Sequence, residues 1–244
     1  MQDAELIAEI HQVEKTYRYV SIRVWYDRQH VGGINEHGVT VGETTIPGRD
    51  ELSNDKGALG AYANYGQASL LELVLQRATT AREGVKIMGS LVEKYGYYAA
   101  MGSENISITD GEEAWVFEVF GPGADWTPDS EEPGGVWCAQ RIPDDQVGVS
   151  ANRSRIGRVD TDDPDNFLYS PNIFSLAEEM GWWDPDGDEP FVWHEVYGPS
   201  KSKGSRLREW TVLNGVAPSK DFDPESLRFP FSVKPDKPVT VKDV

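Results

Sequence analysis

Three consecutive side chains that could bind or polarise a substrate lie in the segment 33–48, which reads GINEHGVTVGETTIPG. Glu43 carries a carboxylate, and Thr44 and Thr45 carry hydroxyls. The NEHG letters before them are typical of a tight turn between two strands. The alternation that follows predicts a second strand, which would place these three residues at a strand end, where scaffolds often present functional groups. An ordinary structural hairpin is the alternative.

An asparagine and an arginine in the second half of the chain could also contribute. The segment VGVSAN predicts a strand that ends at Asn152. A strand-end asparagine is often a turn former, but its side-chain amide can also donate to the oxyanion of an acyl-transfer reaction. Arg206 lies in GSR at the start of a predicted helix, where a solvated helix terminus is the ordinary interpretation.

The sequence gives little support for a reactive cysteine, a metal site or a nucleotide-binding motif. Cys138, the single cysteine, lies in the middle of the predicted strand VWCAQRI, which favours a buried and inert thiol. The histidines, His11, His30, His37 and His194, lack the spacing of metal ligands. The chain has no GxSxG, HExxH, GxGxxG or phosphate-binding loop. We therefore expect no metal and no cofactor.

The composition is that of an acidic globular protein. Of 244 residues, 39% are hydrophobic and 11% aromatic, and the net charge is −18. This charge argues against nucleic acid or an anionic membrane as a partner. No run approaches the roughly 18 apolar residues of a membrane span. The start, MQDAELIAEI, lacks an apolar signal core, so the compartment stays open with the cytoplasm favoured.

Periodicity predicts strands and helices in separate blocks. Alternating β-branched and aromatic residues predict strands at 16–25, 29–35, 39–45, 103–109, 114–120, 136–142 and 146–152. Apolar stripes predict helices from about 66 to 79 and from 80 to 95, the second opened by a TARE capping box and ended by Gly96. Further helices are predicted at 172–180, 190–197 and 202–216. The Gly-rich segment 50–64 reads as a surface loop, and the Pro-rich tail from 217 as weakly structured.

The order of these elements predicts an α+β fold. The strands are too closely linked for βαβ crossovers, so the sheets should be largely antiparallel. Two antiparallel sheets covered by helices would give a layered α+β or α/β architecture. We find neither an internal repeat nor a domain linker, so we expect one domain over residues 1–244.

Several segments together resemble a known enzyme family. In chain order they are GINEHGVTVGETTIPG, YGYYAAMGSENISITDGEEAWVFEVF, VWCAQRIPDDQVGVSANRSRIG, FLYSPNIFSLAEEMGWWDP and GSRLREW. They resemble the C69 dipeptidases, which belong to the N-terminal-nucleophile (Ntn) hydrolases. The resemblance covers most of the chain, from about Gln12 to its end.

The resemblance implies a four-layer αββα sandwich and metal-free hydrolysis of peptide bonds. The family's nucleophile is a cysteine at the start of the mature chain, and its own α-amino group serves as the base. Asn152 matches a position that helps to bind the oxyanion. Thr45, with Glu43 and Thr44 beside it, matches the hairpin position lining the same pocket. Arg206 matches an arginine that supports the nucleophile.

This sequence departs from the family pattern at the nucleophile. Met1 is not a cysteine, and Cys138 is internal. The end, FPFSVKPDKPVTVKDV, resembles the middle of the family's sequence. We therefore expect a single, incomplete Ntn-hydrolase domain that lacks the N-terminal Cys strand and the C-terminal part. Such a chain should not hydrolyse dipeptides by itself.

Three functions remain open at this point. The first is the body of a cysteine dipeptidase whose substrate is a small peptide with a free amino end. The second is a related acylase for bile-salt or penicillin amides, which would need an apolar pocket where the dipeptidase binds an ammonium group. The third is a noncatalytic binding protein that has lost the nucleophile. A homo-oligomer is compatible with all three.

Overall fold

The computed structural model describes residues 9–23, 30–61, 67–100 and 102–240. The predictions for residues 24–25 of the first strand, for residue 29 of the second and for the start of the first helix at residue 66 lie outside these residues. Within the described ranges the α-helices are α1 (Leu70–Arg77), α2 (Ala81–Tyr95), α3 (Ser175–Glu179), α4 (Trp193–Val196) and α5 (Lys203–Val216). Short 3₁₀ turns cover Asp50–Leu52 and Pro218–Lys220.

The fold centres on one seven-stranded sheet in which all neighbours are antiparallel. Its strands, in spatial order, are β1 (Tyr19–Arg23), β2 (His30–Asn35), β3 (Thr40–Ile46), β6 (Ser103–Thr109), β7 (Ala114–Phe120), β8 (Val136–Ile142) and β10 (Phe167–Tyr169). Two small sheets pair β4 (Leu59–Gly60) with β5 (Ala68–Ser69) and β9 (Val147–Gly148) with β11 (Ser232–Val233). The prediction of an α+β fold with a large antiparallel sheet is confirmed.

Both faces of the large sheet are covered. In β7, Trp115 and Phe117 point towards α1 and α2, whereas Val116 and Phe120 point towards the layer formed by α3, α4 and their loops. Side chains alternate across a strand, so AWVFEVF supplies both cores at once. Burying both faces explains why this strand tolerates only one charged residue, Glu118, which is fully buried.

The helix pair forms as its sequence predicts. Thr80 caps α2 by accepting a hydrogen bond from the Glu83 backbone N–H at 3.1 Å, and Gly96 ends the helix with a φ of 77°. The first helix begins at Leu70 and not near residue 66, because Ser69 accepts from the Glu72 N–H and caps it there. Among the described residues, no helix has the length and apolar character needed to cross a bilayer.

Three local predictions are wrong. The segment 146–152 is a strand only at Val147–Gly148, which pairs with β11 and not with the large sheet. The described part of 50–64 is exposed mainly before residue 57, whereas residues 57–61 are buried and include β4 (Leu59–Gly60). The tail from 217 is more structured than its prolines suggested. It contains β11, and its Leu227 and Pro230 carbonyls accept hydrogen bonds from the buried Arg153 and Arg155.

Candidate functional site

The end of β3 meets the loop that follows β9. The Asn152 side-chain Nδ2 donates to the Thr45 carbonyl oxygen at 2.7 Å. One residue earlier in β3, the Thr44 hydroxyl lies 3.4 Å from the Ser150 hydroxyl. The structure therefore brings Thr44 and Thr45 close to the loop of Asn152, which lies more than 100 residues later in the sequence.

Asn152 is held in an unusual backbone conformation. Its φ is 55°, in the left-handed region that asparagine tolerates better than most residues. It therefore lies in an irregular loop and not at the strand end that VGVSAN predicted, because β9 stops at Gly148. Its amide has two N–H donors, and Thr45 uses one of them. The second N–H could donate to an oxyanion.

Arg208, which the sequence did not single out, fixes the other end of this amide. Its Nη1 donates to Asn152 Oδ1 at 3.0 Å, and its Nη2 donates to the Ala151 carbonyl at 3.2 Å. The guanidinium thus fixes which way the amide points, with Oδ1 facing Arg208 and Nδ2 facing Thr45. Arg208 lies two residues beyond Arg206 on α5, so GSRLREW contains both but gives no signal of which one reaches the loop.

Arg206 lies on α5 with a buried side chain that contacts a different part of the chain. Its Nη1 donates to the Pro224 carbonyl at 2.7 Å, and its Nη2 lies 3.3 Å from the Glu225 carboxylate. These contacts attach the start of α5 to residues 224–226. No contact to Asn152 is made by the described Arg206 side chain, so any influence on the site passes through α5.

Glu43 faces a second carboxyl group across the strand pair. Glu104 in β6 lies directly opposite Thr45 and near the Glu43 charge, and its Oε2 is buried without a hydrogen-bond partner among the described residues. Burial and the neighbouring Glu43 charge raise the pKa of Glu104 well above its usual range, and burial raises the pKa of Glu43. Both shifts favour the protonated form of these two acids.

A second buried acid, Glu118, anchors the residues that follow Asn152. Its Oε1 accepts from Asn105 Nδ2 at 2.8 Å and from the Arg155 backbone N–H at 2.6 Å. Its Oε2 accepts from the Ser154 hydroxyl and from Trp193 Nε1, the latter at 2.7 Å. Four donors therefore converge on one carboxylate, and two of them belong to residues just after Asn152. Burial raises the pKa of Glu118, while the four donors oppose that rise.

The sequence offered a partial signal for this acid. Glu118 is the one charged residue in the apolar strand AWVFEVF, and acids are rarely buried without partners. An acid in such a strand therefore predicts a buried polar contact. The partners themselves were not predictable, because Ser154 and Trp193 come from distant loops and helices.

Cys138 is the chain's only cysteine, and it is fully buried in β8, as its place in VWCAQRI predicted. Burial, and next the Glu118 charge, raise the pKa of its thiol well above the usual value. A thiol in this state is a poor nucleophile, because the thiolate is the reactive form. Over the described residues, no cluster of three His, Cys, Asp or Glu side chains could hold a metal ion.

Comparison with known proteins gives a consistent set of relatives. The family model described as "Peptidase family C69" matches residues 6–244. A "probable dipeptidase" of Latilactobacillus sakei is 30% identical over 217 residues, covering 87% of this chain and 42% of that protein. A "probable dipeptidase" of Salmonella dublin is 26% identical over 219 residues, covering 85% of this chain and 46% of that protein.

A third relative, "dipeptidase A" of Lactobacillus helveticus, is 29% identical over 182 residues, which is 73% of this chain and 35% of that protein. The chain thus spans less than half the length of each of these three relatives. Its similarity to each of them extends over most of its own length.

Proposed function

This chain belongs to peptidase family C69, and we propose that it supplies the substrate-binding and oxyanion-binding part of a dipeptidase. The observation that carries the proposal is the Asn152 amide, held between Thr45 and Arg208, with a second N–H donor that no described residue accepts. A fixed N–H donor is what an acyl-transfer site needs at the point where negative charge develops. The relatives named dipeptidases support the same assignment.

The proposed reaction is hydrolysis through an acyl-enzyme. A cysteine thiolate attacks the peptide carbonyl carbon, and the carbonyl oxygen becomes an oxyanion that Asn152 stabilises. The bond to the leaving amine then breaks, that amine takes up a proton, and water releases the acyl group from sulfur. The base is the cysteine's own α-amino group, whose ordinary pKa is about 8. Glu43, Thr44 and Thr45 line the substrate pocket, and Arg206 acts indirectly by holding α5.

The attacking thiol is proposed to come from outside these 244 residues. The one cysteine here, Cys138, is buried in β8 with its pKa raised. A residue in that state can neither reach a substrate nor ionise readily. We further propose that the whole domain is the four-layer αββα sandwich of Ntn hydrolases, in which the described sheet is one of the two central layers.

Turnover measurements test this proposal. The natural polypeptide is isolated from its source, and its intact mass and N-terminal sequence are determined. That polypeptide and the 244-residue chain are then assayed with a panel of free dipeptides. We expect a cysteine at the mature start of the natural polypeptide, iodoacetamide-sensitive turnover by it, and no turnover by the 244-residue chain.

Substitution of Asn152 separates oxyanion stabilisation from binding. In the active polypeptide, Asn152→Ala should lower kcat by about 100-fold or more, the size expected for losing one oxyanion donor, with a smaller effect on KM. Lys203→Met, a change at an exposed residue at the start of α5, serves as the control. Iodoacetamide-sensitive turnover by the 244-residue chain, or unchanged kcat in Asn152→Ala, would contradict the proposal.

A further inference from the structure

A small basic cavity lies directly beside the Asn152 loop in this strongly acidic chain. Its volume is about 240 Å³, whereas the net charge of the chain is −18. Its charged or titratable lining side chains are Arg153, Arg155, His194, Lys201, Arg228 and Glu195. Four permanent cations and one carboxylate therefore surround a space large enough for a small group. Such a local reversal of charge favours an anionic ligand.

Two buried arginines form the inner wall of the cavity. Arg153 Nε lies 3.1 Å from Glu209 Oε1, and Arg155 Nη1 lies 2.9 Å from Glu209 Oε2. Two arginines thus share one fully buried glutamate, and each also donates to a backbone carbonyl, of Leu227 or of Pro230. A second fully buried acid, Glu118, accepts from the Arg155 backbone N–H, so two acids lie beside these two arginines and hold the inner wall in place.

The outer wall supplies a cation with its hydrogen-bond donors available. Arg228 is paired with Glu195 at 2.6 Å, which neutralises both at the mouth. Lys201 is exposed, and among the described residues its ammonium group has no carboxylate partner. An ammonium group presents three donors to a ligand. Lys201 is therefore the lining residue best able to bind an anion directly.

The place of the cavity relative to Asn152 limits the kind of anion. Arg153 and Ser154, which line the cavity, are the two residues that follow Asn152. Consecutive Cα atoms are about 3.8 Å apart, in the protein and in a peptide alike. In a dipeptide, the C-terminal carboxylate lies only one residue beyond the scissile bond. We take a carbonyl bound at Asn152 to direct that carboxylate towards the cavity, whose lining begins at the next residue of the chain.

We propose that this cavity binds the free C-terminal carboxylate of a short peptide, and so limits the substrate to peptides that end one residue after the scissile bond. This assignment rests on the proposed function, because it takes Asn152 as the oxyanion donor. A longer peptide or a C-terminal amide would place a neutral group against the basic wall. Charge-assisted hydrogen bonds are the stronger ones, so that loss should be measurable.

Equilibrium binding to the 244-residue chain tests the proposal without requiring turnover. Titration calorimetry at pH 7.5 and low ionic strength compares three ligands: alanyl-alanine, its C-terminal amide, and inorganic phosphate. We expect the dipeptide to bind about tenfold or more tightly than its amide, and more tightly than phosphate. This preference should decrease as salt is added, because part of it is long-range electrostatics.

Two variants should shift the preference for dipeptide over amide in opposite directions, and a third serves as the control. Lys201→Met should lower the preference for dipeptide over amide to about threefold or less. Glu195→Gln should raise the preference, because it removes the only carboxylate of the lining and frees Arg228. Lys203→Met is the matched control, since Lys203 is an exposed lysine two residues away that does not line the cavity. Circular dichroism checks that each variant is folded.

Each contrary outcome overturns the assignment. Equal binding of dipeptide and amide, absence of binding by all three ligands, or an unchanged preference in Lys201→Met would exclude a carboxylate site at this cavity. Phosphate binding as tightly as the dipeptide would indicate a general anion site instead. If the natural polypeptide has no turnover but the 244-residue chain keeps the Lys201-dependent preference, the dipeptidase proposal fails and this one stands. If the natural polypeptide hydrolyses dipeptides but the 244-residue chain shows no preference for dipeptide over amide, the carboxylate-site proposal fails and the dipeptidase proposal stands.

Discussion

Glu118 offers the sharpest test of how the Asn152 loop is held. All four partners of its carboxylate are donors: Asn105 Nδ2, the Arg155 backbone N–H, the Ser154 hydroxyl and Trp193 Nε1. Replacing Glu118 by alanine leaves four donors in a fully buried site. Each buried donor without a partner costs about 1–3 kcal/mol, so Glu118→Ala should lower the free energy of unfolding by about 4 kcal/mol or more.

Glu118→Gln should lower the free energy of unfolding by less than Glu118→Ala, because the glutamine side chain can keep most of these hydrogen bonds. The amide oxygen can keep the two donors on Oε1, and the Ser154 hydroxyl can rotate to accept from the new NH₂ group. The Trp193 indole N–H cannot rotate or accept, so it faces another donor. One unsatisfied donor predicts a cost of about 1–3 kcal/mol.

Urea unfolding at pH 7, followed by tryptophan fluorescence and far-UV circular dichroism, measures these costs. Glu112→Ala, at an exposed acid near β7, should stay within about 0.5 kcal/mol of the parent chain. In a Trp193→Phe background the clashing donor is gone, so Glu118→Gln should cost about 1 kcal/mol less than in the parent. The reasoning is refuted if Glu118→Ala costs no more than Glu118→Gln, or if Trp193→Phe leaves the cost of Glu118→Gln unchanged.

Three further predictions follow from the same structure. Gly89→Ala in α2 should destabilise the fold by about 1–3 kcal/mol in urea unfolding, because a Cβ there would lie 2.2 Å from Trp137 Cζ2; the control Gly215→Ala in α5, with open space around it, should stabilise by a few tenths to about 1 kcal/mol. Since the folded-state pKa of Glu104 lies above its unfolded value, the folded chain holds the extra proton and loses stability as pH rises through that interval. Glu104→Gln should therefore raise the Tm at pH 8 and bring little gain at pH 4, and a larger gain at pH 4 would contradict this. Asn152→Ala should be less stable than Asn152→Gly by about 1–2 kcal/mol in urea unfolding, because the φ of 55° suits glycine; equal stabilities would contradict a strained backbone.

The parts of the fold that depend on local pattern could be predicted from the sequence. The hairpin of β6 and β7 joins two runs rich in β-branched and aromatic residues through Asp110-Gly111, and both strands have the predicted bounds. The Thr80 cap of α2 is likewise a contact between residues three apart. In such cases the deciding interactions lie within a few residues, so a short window of sequence contains the information.

The buried segment before α1 shows where this reasoning fails. Glycines and polar residues in 50–64 indicate a surface loop, yet Gly57 packs against the Tyr97 backbone, where a Cβ would lie 2.4 Å from the Tyr97 carbonyl carbon. The glycine is therefore explained by a close approach of two backbones and not by exposure. The sequence shows that a small residue is required but not which neighbour requires it.

The orientation of Asn152 is the strongest case of this limit. Its Nδ2 partner lies 107 residues away and its Oδ1 partner 56 residues away along the chain, and the loop that carries it is held by Glu118, 36 residues from Ser154. Each contact is available only after the large sheet and α5 have assembled. VGVSAN alone favours continuing the strand, because its alternation is the only local signal. The long-range hydrogen bonds instead hold Asn152 in a left-handed backbone conformation. They thereby fix its side-chain amide at the proposed site.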